Sequence, residues 1–220
     1  MKYVAFSFVF LIFIHSLSAA ELLKNGDFES SDITGWRFWE TYPWDGDGAP
    51  VELPVHLSIV ISGNTGNIGT PVPPATSGFF ALVQQVSSGG TARGGLCQEV
   101  KVVANTPYIL TGCLAFYGDD IGDVTIIGIL DGSWNPALAY TALNKYSIGG
   151  NAVSPWVEFS LTIIPSRDVI TVFTETRQDW MYGSVAGWYD NLSLKPASES
   201  TRLVIPPNPK KNTIEKRAQD

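Results

Sequence analysis

Residues 21–196 predict an all-β fold, an antiparallel β-sandwich, on three observations. Helical periodicity is absent from this stretch. Short runs rich in β-branched and aromatic residues recur along it, and clusters of Gly, Pro, Asn and Ser separate them. Many short strands with turn signals between them are the pattern of a sandwich.

The expected strands, in order, are "WRFWETY", "HLSIVIS", "FFALVQQV", "LCQEVKVV", "YILTGCLAFY", "VTIIGILD", "WVEFSLTI", "VITVFTET" and "GWYDNLSL". In the fourth and fifth, alternation puts Leu96, Val100 and Val102 on one face with Tyr108, Leu110, Leu114 and Phe116. Glu99, Lys101 and Thr111 take the other face, so one side is buried and one is wet. An Asn-Thr-Pro turn between these two runs predicts a hairpin centred on Asn105. That register places Cys97 opposite Cys113, and export would make the pair a cross-strand disulfide. Such a bond closes a loop of about 15 residues, worth on the order of 3 kcal/mol in the chain-entropy model.

Three long loops interrupt the strands: "PWDGDGAPVELP", "SGNTGNIGTPVPPATSG" and "DGSWNPALAYTALNKYSIGGNAVSPW". Loops of this length in a compact domain are functional or disordered. "DGDG" and "GDDIGD" lack the calcium-loop spacing of an EF-hand and read as turns.

The two ends of the chain read differently from its middle. Lys2, the apolar run "YVAFSFVFLIFI" and the small residues Ser18 and Ala20 form a secretory signal peptide over 1–20, cut after Ala20. The mature protein is therefore expected to be secreted and extracellular, with no membrane span. From Ala197 the chain becomes polar and basic, and 197–220 reads as a disordered tail. The net charge is −7. Lys2 is the only charged residue of 1–20, so removing that segment leaves −8. Such a balance argues against a nucleic-acid partner.

"LLKNGDFES…ITGW", "SGFFALV", "LCQEVKVVANTPYILTGCLAF" and "GWYDNLSL", taken in that order, resemble the carbohydrate-binding modules of families four, nine and twenty-two. The resemblance covers about Leu22 to Lys195 and implies a galactose-binding-like jelly roll. It also implies that the first and last strands meet and hold a structural calcium. On the matching positions the carboxylates are Glu29 and Asp190, with Asp27 and the segment Thr76 to Gly78 adding carbonyl oxygens. A set of carboxylates and carbonyls from separate strands suits a cation that takes six to eight oxygens. The long loops and the two cysteines depart from the family pattern.

Aromatic residues exceed what the core needs. Trp36 and Trp188 match core positions, and Trp156 begins a strand. Trp39, Trp44, Trp134 and Trp180, with Tyr42, Tyr140, Tyr146 and Tyr182, are left for loops. Aromatic faces stack on sugar rings while amide and guanidinium groups take the hydroxyls. The expected site is thus Trp134, Trp39, Trp44 and Trp180, oriented by Tyr42, Arg177 and Gln178, and its partner a neutral polysaccharide or glycoconjugate glycan. Trp134 ranks first because Asp131-Gly132 and Asn135-Pro136 hold it in turn chemistry.

Other functions find less support. His56 is the single histidine after position 20, and no nucleophile elbow accompanies it. One His and two Cys do not make a catalytic zinc site. A glycosidase requires only two carboxylates, so catalysis is the lesser alternative. The other alternative is an extracellular structural or adhesive protein with the same fold. Asn191-Leu192-Ser193 is a glycosylation sequon placed in the closing strand.

Overall fold

In a computed structural model, the structure describes residues 20–41, 56–62, 76, 78, 81–88, 92–178 and 183–197. Ten strands are described: β1 (Arg37–Thr41), β2 (His56–Ser62), β3 (Ala81–Ser88), β4 (Ala92–Lys101), β5 (Tyr108–Gly118), β6 (Val124–Asp131), β7 (Asn144–Gly149), β8 (Ala152–Ile163), β9 (Val169–Gln178) and β10 (Gly183–Pro196). A short 3-10 helix spans Pro136–Thr141. The strands form two five-stranded sheets, β1-β4-β9-β6-β7 and β2-β3-β10-β5-β8, with antiparallel neighbours throughout. This is the sandwich expected from the spacing of the runs.

The sheets close on one main core. Leu96, Val100, Ile127, Ile129, Ile170 and Val172 face it from the first sheet, and Leu82, Tyr108, Leu110, Leu114, Phe159, Leu161 and Leu194 from the second. Strand alternation thus put the right residues inside. Their partners lie across the sandwich rather than side by side, because β4 and β5 do not form a hairpin. β4 pairs with β1 and β9, while β5 pairs with β10 and β8. The Asn105 turn carries the chain from one sheet to the other.

This corrects the expected disulfide. Cys97 lies opposite Arg37 and Phe173 in the first sheet, Cys113 opposite Asp190 and Glu158 in the second. Both side chains alternate onto the outer faces of their sheets, with the core between them, and both thiols are free. Burial pushes both thiol pKa values up, which keeps them protonated.

β7 and the 3-10 helix lie inside a stretch expected to be loop. "NKYSIG" alternates between half-buried and exposed along an outermost strand, with Asn, Lys and Ser giving it little strand character. Its Tyr146 does not face a loop site: its ring stacks on core Phe159 at 5.9 Å.

The opening and closing segments of the described domain do meet, although residues 20–36 form no strand of their own. Leu22 N donates to Leu194 O at 3.0 Å, and Leu192 N donates to Gly26 O at 2.9 Å, which ties the opening segment to β10. Only glycine allows this approach at position 26, where a Cβ would meet the Leu192 carbonyl. Leu23, Phe28 and Trp36 then reach the core, and the Trp36 indole donates to Asn25 O at 3.1 Å.

Candidate functional site

The outer face of the first sheet carries a second cluster: Trp39, Cys97, Ile126, Leu130 and Phe173, with Trp134 packed against it. Register explains its assembly. Trp39 stands opposite Gly95, Cys97 opposite Phe173, and Phe173 opposite Gly128, so all project to the same side. Gly128 leaves room for the Phe173 ring, which lies where a Cβ would stand. Trp134 covers this layer, with ring centroids 4.8 Å from Trp39 and 5.3 Å from Phe173. The Trp39 indole enters the sheet itself, donating to Leu96 O at 3.3 Å and Thr174 O at 3.2 Å. Trp39 is accordingly a buried strand residue rather than a loop aromatic, and Trp134 is half-buried.

Charged groups continue the same face. On β9 they are Glu175 and Arg177, on β4 Arg93 and Glu99. Arg93 Nη1 lies 3.9 Å from Glu175 Oε2, with both side chains largely out of solvent. Arg93 also donates to Pro136 O at 3.3 Å, next to the Trp134 turn. Burial pushes the Glu175 carboxyl above its ordinary pKa, against the pull of Arg93, Arg177 and Lys145. Its Oε1 and the Nε of Arg177 are buried with no hydrogen-bond partner among the described residues. Glu99, more exposed, accepts from Arg37 at 3.2 Å and from Trp134 N at 3.0 Å, which fixes the turn that presents the indole.

Of the residues named from the sequence, the structure brings Trp134, Trp39 and Arg177 to one face. Sequence reasoning missed Phe173, Glu175 and Arg93, whose strands read only as apolar or polar runs. The two-residue period would have grouped Phe173, Glu175 and Arg177. Gln178 belongs elsewhere: it points inward, is fully buried, and its Nε2 donates to Gly183 O at 3.2 Å. Trp44, Trp180 and Tyr42 lie outside the described residues.

Asp190 and Glu29 form a separate arrangement at the junction of the ends. Asp190, on the outer face of the second sheet, is fully buried. Its Oδ2 accepts from Thr76 N at 2.8 Å and Thr76 Oγ1 at 2.6 Å, and its Oδ1 accepts from Asn191 N at 2.7 Å. Asn191 Nδ2 donates to Thr76 Oγ1 at 2.9 Å. Glu29 places its carboxylate against Gly78. One carboxylate thus lies against Thr76 and another against Gly78. This oxygen-only donor set fits the chemistry of a hard cation. Asp27 is exposed, and its Oδ1 accepts from Glu29 N at 3.4 Å within its own turn. Among the described residues, no three His, Cys, Asp or Glu side chains converge, so hydroxyl and carbonyl oxygens would have to complete such a shell.

The comparison that decides the architecture is with solved structures. The chain superposes on a family 61 carbohydrate-binding module, solved in complex with β-1,4-galactotriose, with TM-score 0.51 at 15% identity, covering 81% of this chain and 100% of that one. The fold is a two-sheet β-sandwich similar to that of this module. A similar fold is found in the K3 cleaved adhesin domain of Lys-gingipain from Porphyromonas gingivalis w83, with TM-score 0.52 at 12% identity over 81% of this chain and 100% of that one. It also superposes on part of an arabinose-bound α-L-arabinofuranosidase, with TM-score 0.50 at 18% identity, over 84% of this chain and 28% of the enzyme. No family model and no curated protein matches the sequence.

Proposed function

We propose that the chain is a secreted, non-catalytic glycan-binding module whose ligand lies on the outer face of the first sheet. The observation that carries this reading is the layered set Trp39, Phe173 and Trp134, ending in a half-exposed indole, with Arg93, Glu175 and Arg177 further along the same face. An aromatic face stacks on the apolar face of a sugar ring, and the flanking charged groups bond its hydroxyls. The likeness to a module solved with a galactotriose supports the reading at the level of fold. The signal-like segment 1–20 supports export. A calcium ion held by Glu29, Asp190 and the oxygens of Thr76 and its neighbours belongs to the same proposal as a structural element, remote from the sugar.

A glycan array on the mature protein, followed by isothermal titration with a hit, tests it. Trp134→Ala should weaken binding about tenfold or more while thermal stability changes little, since half-exposed stacking contributes to affinity. Trp36→Ala should instead destabilise the fold by roughly 3–5 kcal/mol as a core truncation. An array without a hit would sink the glycan reading and favour a structural or adhesive role.

A further inference from the structure

We propose that Asn191 carries an N-linked glycan, and that its first sugar lies in a depression on the outer face of the second sheet, over Cys113. The inference goes beyond glycan binding and rests only on the export proposed with it.

The first observation is the acceptor itself. Asn191-Leu192-Ser193 is the single Asn-X-Ser/Thr run of the chain. In an exported protein such a run accepts an oligosaccharide. The donor class is a lipid-linked oligosaccharyl diphosphate. Its C1–O bond breaks, C1 bonds to Asn191 Nδ2, and the proton lost from the amide leaves with the lipid diphosphate. Transfer precedes folding, so the folded domain has only to leave room for the product.

The second observation is that room. β10 leaves its register with β5 between Asp190 and Ser193, and Asn191 sits there at φ 54. Asparagine is among the residues that tolerate this left-handed conformation. The irregularity turns Leu192 into the core and leaves Asn191 half-buried. Asn191 then lines an open depression of about 540 Å³ with Thr111, Cys113, Glu158 and Ser160. Thr111 stands opposite Ser160 and Cys113 opposite Glu158, so β5 makes the floor and β8 one wall. Glu158 and Ser160 are exposed. A space of this order takes a drug-sized ligand, so it seats a single sugar. Its hydroxyl and carboxylate groups suit a hydroxylated ring.

The existing contact at Asn191 is compatible with the modification. Nδ2 donates to Thr76 Oγ1 at 2.9 Å. A side-chain amide carries two N–H groups, and glycosyl transfer consumes one, so the product retains a donor for Thr76. The glycan also stays clear of the proposed ligand, because Trp134 covers the outer face of the opposite sheet.

The test is expression of the full chain, behind its own residues 1–20, in a eukaryotic secretory host. The secreted protein should be heavier than its sequence. An amidase that cleaves the glycosyl amide should remove the surplus and leave Asp at position 191, which peptide mapping reads. Asn191→Gln and Ser193→Ala should abolish the surplus, and Ser193→Thr should keep it. Secreted protein with an unmodified Asn191 would overturn the proposal. If the chain is not exported, the export reading fails; the same chain behind a signal peptide of the host then decides the modification, and an unmodified Asn191 there overturns it. The seat has its own readout. Alkylation of Cys113 in the native protein should be several-fold slower with the glycan present than in Asn191→Gln, because the sugar restricts access to the thiol. Equal rates would overturn the placement over Cys113 and leave the modification standing.

Discussion

Asp131 ends β6 and holds the 165–168 turn: its Oδ2 accepts from Ser166 N at 3.1 Å and Oγ at 2.6 Å, and its Oδ1 from Arg167 N at 3.3 Å. Burial pulls this carboxyl up, but the Ser166 and Arg167 bonds outweigh it and hold the pKa below 3.8. A pKa lowered by folding means stability that is present above the unfolded value and lost as pH falls through the folded one. Asp131→Asn should therefore cost about 1 kcal/mol near pH 6, with the site's partial exposure keeping the figure small. The difference from wild type should narrow below pH 3.8. Denaturant midpoints of both proteins across that window check it, and a gap independent of pH would refute the ionic account. Glu175 behaves in the opposite sense. Its carboxyl is raised by burial, so its contribution is largest when protonated and falls as pH rises above 4.5. Such assignments were out of reach of the sequence. Asp131 read there only as part of a turn, and Glu175 as one polar letter in "VFTET", because each depends on what a neighbouring strand brings to it.

At the scale of elements, most strands were legible because their alternation survives in the sequence. "YILTGCLAFY" puts Tyr108, Leu110, Leu114 and Phe116 on one parity, and that half of β5 is buried. β7 was not, since an outermost strand with a polar face lacks that contrast. The closing strand shows how a local irregularity builds a site. β10 changes register against β5 between Asp190 and Ser193, and Asn191 there has φ 54. The shift turns Leu192 into the core while Asp190 stays on the outer face against Thr76. If calcium occupies this junction, it binds the folded state alone and raises stability by mass action. Chelation should then lower the melting temperature by several degrees and calcium should restore it, whereas Asp190→Ala should be destabilised and insensitive to either. A wild-type melting curve unmoved by chelator, in protein free of metal by elemental analysis, would remove the cation and leave a hydrogen-bonded clasp.

Across the whole molecule, the decisive fact is which sheet each strand joins, and single-sequence patterning does not carry it. β4 and β5 are adjacent in sequence, have compatible faces and are joined by a tight turn, so a hairpin satisfies every local rule. The sandwich instead sends them to opposite sheets, where the same faces meet across the core. A buried polar set spans the layers as well: Gln84 Nε2 donates to Thr174 Oγ1 at 2.6 Å, and Tyr189 Oη donates to Glu175 O at 2.9 Å. The cysteines test this topology directly. Cys97 is 1% exposed beneath Arg37 and the tryptophan cluster, while Cys113 is half-buried on the far side of the molecule. Alkylation of the native protein should therefore label Cys113 first and Cys97 only on unfolding, since reaction requires access of the reagent to a thiolate. Peptide mapping after a short pulse reads this order. Equal protection of both residues, together with a linked Cys97–Cys113 peptide in non-reduced digests, would require β4 and β5 to lie side by side and would refute the two-sheet assignment.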